Sequence, residues 1–454
     1  MTRLMTRMMV IIGAGLVALV CACAPIQVKA ALDVAVVRTP GGFTVWHVED
    51  HSLPLIAAHL VFRDAGASQD PPGKEGLATF VSGLLDEGAG SLDSEAFQQR
   101  LDDLSIKLNF AADRDRFTVA LATLTENRAE AFDLMGLALT RPRFDDDAVE
   151  RVRNQMRAMI SQGDESPSQV ARRAWYAATF PGHPYARPLE GTSESVGRIL
   201  RADLQDFAAT RFAQDNVIVA VVGDIEAGEL GVLVDKALAP LRKKASLAPV
   251  PPAQANPPAG IRIIERPVPQ STVYFGHGGI RRDDPRWYAA YVMNYVLGGG
   301  GFASRLVNEV RERRGLAYSV ASYLQPFDHG GLFVGAVGTK NERVGESIQV
   351  IRQEIEKIVA EGITAEELED AKTYLTGSYP LTFNTSRNIA AQLAAIQAEG
   401  FGPDYVQKRN GYIEAVTLDD ANAAARALLH PDKLFWVVVG QPRGVIETAP
   451  ADGP

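Results

Sequence analysis

The segment Leu297–Tyr323, LGGGGFASRLVNEVRERRGLAYSVASY, carries the strongest fold signal in the chain. It opens with four consecutive glycines, which permit backbone conformations that a Cβ atom forbids. Phe302, Leu306 and Val310 then follow at intervals of four residues, with Val307 beside them. This spacing predicts one apolar face of an amphipathic helix that begins directly after the glycines.

The end of this predicted helix is rich in arginine, and a strand follows it. Cations such as Arg311 suit the carboxyl end of a helix dipole, and Gly315 is a plausible stop residue. Leu316–Tyr323 reads as a strand that carries Tyr318 near its start. A guanidinium and a phenol delivered together could grip a peptide carbonyl or an oxyanion. An ordinary helix–turn–strand with solvated arginines is the simpler interpretation, and these residues alone leave both open.

The pattern of the first half of the chain recurs in the second half. Asp70-Pro71 corresponds to Asp284-Pro285, and Val222-Gly223 to Val439-Gly440, at nearly the same separation. Strands alternate with helices of amphipathic spacing in both halves, among them a helix predicted at Lys74–Glu87. The sequence therefore predicts a tandem duplication of an α+β unit, in which each half buries its own core.

Composition places boundaries around the two units. Five prolines and no large aromatic residue mark 243–260 as an extended, semi-rigid linker. We predict the following organisation: a signal segment at 1–30, an N-terminal domain at 31–242, the linker at 243–260, a C-terminal domain at 261–443 and a disordered tail at 444–454.

The first thirty residues are typical of an export signal. Arg3 and Arg7 precede an apolar run of signal length, and Ala30 closes a possible cleavage site. Cys23 lies in a sequence that resembles a bacterial lipobox, so lipidation is the alternative to a plain signal peptide. Both cysteines lie in this segment, which leaves no internal disulfide for the mature chain. The net charge of −9 argues against nucleic-acid binding, and we expect a periplasmic or lipid-anchored protein of the cell envelope.

With these features in view, the chain resembles the pitrilysin-like family of inverted zincins, which includes insulin-degrading enzyme and mitochondrial processing peptidase. Gly298–Val320 carries the resemblance most specifically, and Phe180–Gly191 (FPGHPYARPLEG) and Val221–Asp224 support it. The resemblance implies an α+β fold of two tandem homologous domains. Each would be a mostly antiparallel sheet packed against helices, and the two would close as a clam-shell.

Active members of that family carry H-x-x-E-H on the helix that corresponds to Lys74–Glu87. Two histidines at i and i+4 share a helix face and bind Zn²⁺, and the glutamate acts as general base. In this chain Thr79 and Gly83 stand in the histidine positions, Ser82 in the position of the base, and Met159 in that of the third ligand. These side chains cannot form such a zinc site. We therefore expect this chain to bind no metal.

Other metal-ligating or basic residues do not replace the missing site. His47 and His51 lie four apart but flank a predicted turn, where this spacing does not bring side chains together. Asp86 and Glu87 are interpreted as helix-end and solvent residues, and His183 as a loop histidine between glycine and proline.

The resemblance gives Arg311 and Tyr318 a role, because the family has an arginine followed seven residues later by a tyrosine that contacts substrate. The leading hypothesis is a non-catalytic, substrate-binding subunit of an exported heterodimeric zinc metallopeptidase. A homologous partner carrying H-x-x-E-H would supply the zinc, and a peptide or unfolded protein would be the substrate. The alternatives are a peptide-binding or assembly scaffold without chemistry, and an independent hydrolase for which no nucleophile arrangement is found.

Overall fold

The computed structural model describes residues 32–449, so the predicted signal segment lies outside the described residues. Six strands form the first sheet, in the order β1-β2-β6-β3-β5-β4. β2 runs parallel to β6, and the other pairs are antiparallel. The strands are β1 (Ala35–Arg38), β2 (Thr44–Glu49), β3 (Leu55–Arg63), β4 (Lys107–Ala112), β5 (Arg116–Leu124) and β6 (Val217–Gly223).

Five strands form the second sheet, in the order β7-β11-β8-β10-β9. β11 runs parallel to β7, and the remaining pairs are antiparallel, which leaves β9 as an edge strand. The strands are β7 (Gly260–Glu265), β8 (Gln270–Gly278), β9 (Ala317–Pro326), β10 (Gly331–Lys340) and β11 (Phe435–Gly440).

Helices pack against both sheets. The α-helices are α1 (Leu77–Ser82), α2 (Ser94–Asp103), α3 (Arg128–Thr140), α4 (Asp146–Glu165), α5 (Pro167–Thr179), α6 (Ser193–Arg198), α7 (Arg201–Arg211), α8 (Ala227–Leu238), α9 (Trp287–Asn294), α10 (Val344–Glu361), α11 (Ala365–Gly377), α12 (Ser386–Ala398), α13 (Tyr405–Glu414) and α14 (Leu418–Leu428). Two π-helical segments, Tyr295–Gly299 and Val307–Glu312, flank the glycine run.

The predicted duplication is confirmed by strand order. Omitting β1, the order β2-β6-β3-β5-β4 of the first sheet repeats as β7-β11-β8-β10-β9 in the second. The mixed α+β class with two mostly antiparallel sheets is therefore confirmed. The predicted helix at Lys74–Glu87 is shorter than expected, because α1 ends at Ser82 and Gly83 caps it. Its apolar stripe is nonetheless buried, as predicted, and the stripe consists of Leu77, Phe80, Val81, Leu84 and Leu85.

Each half buries a core of its own, as predicted, but the halves also exchange helices. α5 from the first half packs on β8 and β11 of the second sheet, and α12 from the second half packs on β3 and β6 of the first. Trp175 of α5 is fully buried there, and its indole N–H donates to the carbonyl oxygen of Phe435 at 3.1 Å. The described residues from Val34 onward accordingly form a single compact unit.

The linker and the tail both lie along this unit. Residues 243–259 are irregular, but Ala253 is buried and its N–H donates to the carbonyl oxygen of His329 at 2.7 Å. The prediction of a disordered tail is wrong as far as Ala449. The N–H groups of Thr448 and Ala449 both donate to the carbonyl oxygen of Ile261, at 2.9 and 3.0 Å. These bonds extend the edge at β7, where backbone groups need partners.

A search of residues 32–449 finds no helix that combines the length and apolar character needed to cross a bilayer.

Candidate functional site

The helix before β9 ends in a way that presents Arg311. The π-helical segment Val307–Glu312 closes with the N–H of Gly315 donating to the carbonyl oxygen of Arg311 at 2.9 Å. Gly315 has a φ of 57°, the left-handed conformation that glycine adopts at low cost, which confirms it as the stop residue. π-helical turns are rare and frequently occur at functional sites. This turn leaves Arg311 partly exposed, with the exposed residues 312–315 between it and the strand.

Arg311 and Tyr318 come together as the sequence predicts. The Cζ atom of Arg311 lies 5.2 Å from the centre of the Tyr318 ring. It also lies 4.8 Å from the centre of the Phe302 ring, so two aromatic residues flank the guanidinium. The Tyr318 side chain is 82% exposed, and its hydroxyl has no hydrogen-bond partner within the described chain. The cluster therefore offers a cation and a phenolic donor to an outside ligand.

Phe302 is the member of this cluster that the sequence assigned wrongly. Its spacing with Leu306 and Val310 predicts a buried side chain, but Phe302 is 74% exposed while the other two are fully buried. The regular helix has not begun at Phe302, which lies in a 3-10 turn at Gly301–Ala303. Periodicity therefore fails at this residue, because helical spacing applies only inside a helix.

The neighbouring arginines are neutralised, whereas Arg311 is only weakly paired. Arg313 and Arg314 both form ion pairs with Glu309, and Arg314 holds the pKa of that carboxyl below its usual value. Within residues 32–449, the ion-pair partner of Arg311 is its chain neighbour Glu312 alone, with Nε and Oε1 3.4 Å apart. Of these three arginines, Arg311 keeps most of its charge available for a ligand.

Buried polar contacts fix the position of the cluster on β9. The Ser322 hydroxyl donates to Oδ1 of Asn294 at 2.8 Å, and Nδ2 of Asn294 donates to the Ser322 carbonyl oxygen at 3.2 Å. Arg305, which lies just before the π-helical segment Val307–Glu312, donates two hydrogen bonds of 2.6 Å to the Glu367 carboxylate. Such supporting contacts limit the freedom of side chains that must hold a ligand. The sequence analysis did not identify them.

The glycine run serves packing more than ligand clearance. A Cβ atom on Gly298 would lie 2.4 Å from the Ser322 hydroxyl oxygen and 2.7 Å from the Ser322 nitrogen. A Cβ atom on Gly300 would lie 2.7 Å from the carbonyl oxygen of Tyr295. Gly301 alone of the four has a positive φ, 54°, with open space around it. The run therefore lets the helix approach β9 closely, and only its last residue faces open space.

The first-half residues that replace the zinc motif are engaged with the protein itself. The Thr79 hydroxyl donates to the carbonyl oxygen of Leu189 at 2.7 Å, and the Ser82 hydroxyl donates to the carbonyl oxygen of Thr79 at 2.8 Å. Gly83 ends α1, and a Cβ atom there would lie 3.1 Å from a methyl carbon of Val152. Met159 lies on α4 and is half exposed. These groups do not fit a zinc ion.

Nearby titratable residues do not restore a metal site. Glu87 is held by Arg151, which donates to both carboxylate oxygens at 2.7 Å and lowers the pKa of Glu87. Across residues 32–449, no group of three or more His, Cys, Asp or Glu side chains has the geometry to hold a metal ion.

The histidines are structural, as predicted. His47 is buried between the carbonyl oxygens of Val221 and Ile225, 3.0 and 2.9 Å from its ring nitrogens. His51 is exposed and contacts Asp224 and Glu49, which raise its pKa. His183 lies in a loop, where its Nε2 is 3.0 Å from the carbonyl oxygen of Pro251 in the linker. None of the three faces the Arg311–Tyr318 cluster in any contact of the structure.

Comparison with known proteins gives the class. The family described as "Insulinase (Peptidase family M16)" matches residues 49–193. The family described as "Peptidase M16 inactive domain" matches residues 198–375. The non-peptidase homolog YmxG of Helicobacter pylori is 30% identical over 87% of this chain and 91% of its own length. An uncharacterized zinc protease of Mycobacterium leprae is 29% identical over 93% of this chain and 95% of its own length.

Among solved structures, a peptidase M16 inactive domain from Pseudomonas fluorescens superposes with a TM-score of 0.85 and 30% identity. The match covers 92% of this chain and all of that one. The chain belongs to peptidase family M16. It lacks the H-x-x-E-H motif, and one of its relatives in that family is named a non-peptidase homolog.

Proposed function

We propose that this chain is the substrate-binding subunit of an exported heterodimeric zinc metallopeptidase, and that Arg311 and Tyr318 act on substrate bound at a partner's zinc. The observation that carries the proposal is the Arg311–Tyr318 pair itself: a partly exposed cation whose Cζ atom lies 5.2 Å from the ring centre of an exposed phenol, with little internal use for either. Structural arginines of the same helix are paired with Glu309 instead.

The chemistry follows from the two side chains. Arginine stays charged at working pH and donates hydrogen bonds in a rigid fork, and tyrosine adds a neutral donor. When a peptide carbonyl is attacked, negative charge grows on its oxygen. Donors aimed at that oxygen stabilise the transition state more than the ground state. A homologous partner with an intact H-x-x-E-H would supply the zinc and the base.

Reconstitution tests the proposal. The chain, expressed with a co-purifying M16 homologue that carries H-x-x-E-H, is assayed for peptide cleavage, zinc content and mass by light scattering. We expect a heterodimer that cleaves peptides and holds zinc on the partner, while this chain alone does neither. About one zinc per isolated chain with chelator-sensitive cleavage, or two strictly monomeric elutions, would contradict it.

The alternative function is a peptide-binding or assembly scaffold without a role in chemistry. The exposed aromatic residues Phe302 and Tyr318 favour it as the second candidate, since they could hold a peptide without any reaction. Tyr318→Phe separates the two, because it removes only the exposed hydroxyl. A fall in turnover of the mixed complex supports the catalytic partnership, and unchanged turnover with unchanged peptide affinity supports the scaffold.

Export is also a proposal, based on Arg3, Arg7 and the apolar run Val10–Val20. Fractionation of the native host should place the protein in the envelope, cleaved after Ala30 if the signal peptide is plain or before Cys23 if the chain is lipidated. Cys23→Ala distinguishes the two envelope forms: release of the variant from the membrane fraction indicates lipidation, and unchanged partitioning indicates a plain signal peptide.

A further inference from the structure

A polar cavity of about 950 Å³ lies where the two halves meet, away from the Arg311–Tyr318 cluster. Its walls come from the turn before β5, from α5 and from the end of β9. Charged side chains of both signs line it, together with Tyr176, Tyr274 and Gln325. A cavity of this size accommodates a segment of peptide or a small ligand.

Arg114 has an unusual position in this wall. Its Cζ atom lies 4.0 Å from the centre of the Tyr176 ring, and its Nε donates to the carbonyl oxygen of Tyr185 at 3.3 Å. The two terminal nitrogens have no acceptor within residues 32–449, and no carboxylate of that range lies at ion-pair distance. Burial lowers the pKa of Arg114, and the neighbouring Tyr176, Tyr274 and Asp115 act against that shift. Arg114 is half-buried, so its free terminal nitrogens can donate to a ligand in the cavity.

The acids around the cavity are already occupied by other partners. Asp328 and Glu399 pair with Arg116, at 2.5 and 3.5 Å, and Asp283 pairs with Arg281 at 2.9 Å. The other acids accept hydrogen bonds or contact a histidine. Asp113 accepts from the N–H groups of Asp115 and Arg116, and Asp115 accepts from the Tyr185 hydroxyl and the Asp328 N–H. Asp215 accepts from the Ala245 N–H, and Asp64 lies 3.5 Å from His329. None of these acids forms an ion pair with Arg114, and Asp115 acts on its charge only from a longer distance.

A second cation and two phenols lie beside it. Arg172 is close enough that its charge further lowers the pKa of Arg114, and its nearest carboxylate, Glu190, is 3.8 Å away. Tyr176 donates to Oε1 of Gln325 at 2.8 Å, and Tyr274 also lines the cavity. Two guanidinium groups beside tyrosines suit a planar monoanion, because the guanidinium fork matches a carboxylate with two parallel hydrogen bonds. The acids nearby disfavour a more highly charged anion such as phosphate.

We propose that Arg114 and Arg172 form a carboxylate-binding subsite that holds a peptide by its terminal or side-chain carboxylate. This rests on the proposed function, since it makes the bound ligand a peptide. The edge strand β9 connects the two places: Tyr318 is near its start and Gln325 near its end, about 23 Å apart at strand spacing. An extended peptide of about seven residues alongside β9 would reach from one to the other.

Peptide binding to the complete chain, without partner or zinc, tests the subsite by isothermal titration at pH 7. The probe is an N-acetylated, otherwise uncharged nonapeptide in three forms: free carboxyl terminus, carboxyl-terminal amide, and amide with one internal glutamate. We expect the free acid to bind about 10- to 100-fold more tightly than the plain amide, the usual value of a charged hydrogen-bonded pair. The form with the internal glutamate shows whether the subsite also binds a side-chain carboxylate.

Three variants locate the effect. Arg114→Lys keeps the charge but loses the planar fork and should remove most of the difference between acid and amide. Arg172→Gln, at a partly exposed position, should reduce it. Arg281→Gln is the matched control, because Arg281 lines the same cavity but is already paired with Asp283, and it should retain the full difference. Thermal melting of each variant verifies folding, and Arg172→Gln remains informative if Arg114→Lys does not fold.

Several results would overturn the subsite: equal binding of acid and amide, no binding of any form, tighter binding of inorganic phosphate than of acetate, or an acid preference that survives in both Arg114→Lys and Arg172→Gln. The measurement needs no turnover, so its result can be separated from the test of the proposed function. If the binding test fails while the reconstituted complex cleaves peptides, the subsite is wrong and the proposed function stands. If the binding test succeeds while no zinc partner is found, the chain is a peptide-binding scaffold.

Discussion

The two halves of this protein share a strand order but use their polar residues in opposite ways. In the first half, the hydroxyls of Thr79 and Ser82 donate to carbonyl oxygens of the protein itself, in the places where catalytic relatives need zinc ligands and a base. In the second half, Tyr318 on an edge strand is exposed and Arg311 at a helix end is partly exposed.

The difference separates polar groups that the chain itself uses from polar groups that stay available. A residue whose hydrogen bonds are satisfied within the chain is structural, whereas an exposed donor without a partner in the described chain is free to meet a ligand. The supporting contacts agree with this. The hydrogen bonds between Asn294 and Ser322 and between Arg305 and Glu367 hold the surrounding backbone in place and do not involve the Arg311 side chain.

The largest expected effect contrasts the halves directly. In the reconstituted complex, Arg311→Ala should lower turnover by about 10²–10³, the usual cost of removing one oxyanion donor. Ser82→Ala is the control in the other half and should leave turnover unchanged, because its hydroxyl only donates within α1. Steady-state kinetics and melting curves of both variants measure this. Equal turnover for the two variants would contradict the idea that the Arg311 side chain acts on substrate while the Ser82 side chain does not.

A second prediction concerns acid stability, because His277 on β8 occupies the position that Phe62 holds on β3. Burial lowers the pKa of His277 to about 4, and its Nε2 accepts the N–H of His430 at 3.1 Å, so the folded ring is neutral. Below pH 6.5 the His277 ring becomes protonated in the unfolded chain but stays neutral in the folded chain. The free energy of unfolding should therefore fall by about 3 kcal/mol between pH 6.5 and pH 4.

Urea denaturation across that range measures the slope, which His277→Gln should flatten. His51→Gln is the control: His51 is exposed and its carboxylate neighbours raise its pKa, so its loss should not flatten the slope. If His277→Gln keeps the wild-type slope, the second half is no more acid-sensitive at this position than the first.

A third prediction tests whether the glycine run positions the functional cluster. Gly298→Ala should destabilise the protein by about 1–3 kcal/mol, because the new methyl group would lie 2.4 Å from the Ser322 hydroxyl oxygen. It should also lower turnover of the complex, since β9 must shift. Gly377→Ala, at the open end of α11, should instead be neutral or stabilising by up to about 1 kcal/mol. Similar stabilities for the two variants would show that the close approach is not required.

The smallest effect is expected in the degenerate zinc site. Thr79→Val removes the hydrogen bond to the carbonyl oxygen of Leu189 and should cost about 0.5–1.5 kcal/mol of stability. Turnover of the complex should not change, because the side chain holds the chain together and touches no substrate. Chemical denaturation and a peptide-cleavage assay are sufficient, and a large loss of turnover would mean that the first half has kept a functional role.

The sequence by itself determined much of this result. Spacing between Arg311 and Tyr318, with Gly315 as a stop, was sufficient to bring the two side chains together, because a helix end and the strand after it are local structure. The missing zinc ligands also follow from sequence alone, since Thr79, Ser82, Gly83 and Met159 cannot coordinate zinc in any conformation of this type. The repeated order of elements likewise indicated two sheets of the same topology.

Only the tertiary structure decided which surfaces those elements share. An amphipathic pattern shows that a face of α5 or α12 is buried, but not which sheet buries it, because hydrophobic contact is non-directional. The exchange of these helices therefore had no local signal, nor did the pairing of the tail with Ile261 or the cavity beside Arg114. Each depends on residues far apart in the chain, whose proximity is set by packing of the whole molecule rather than by their neighbours in sequence.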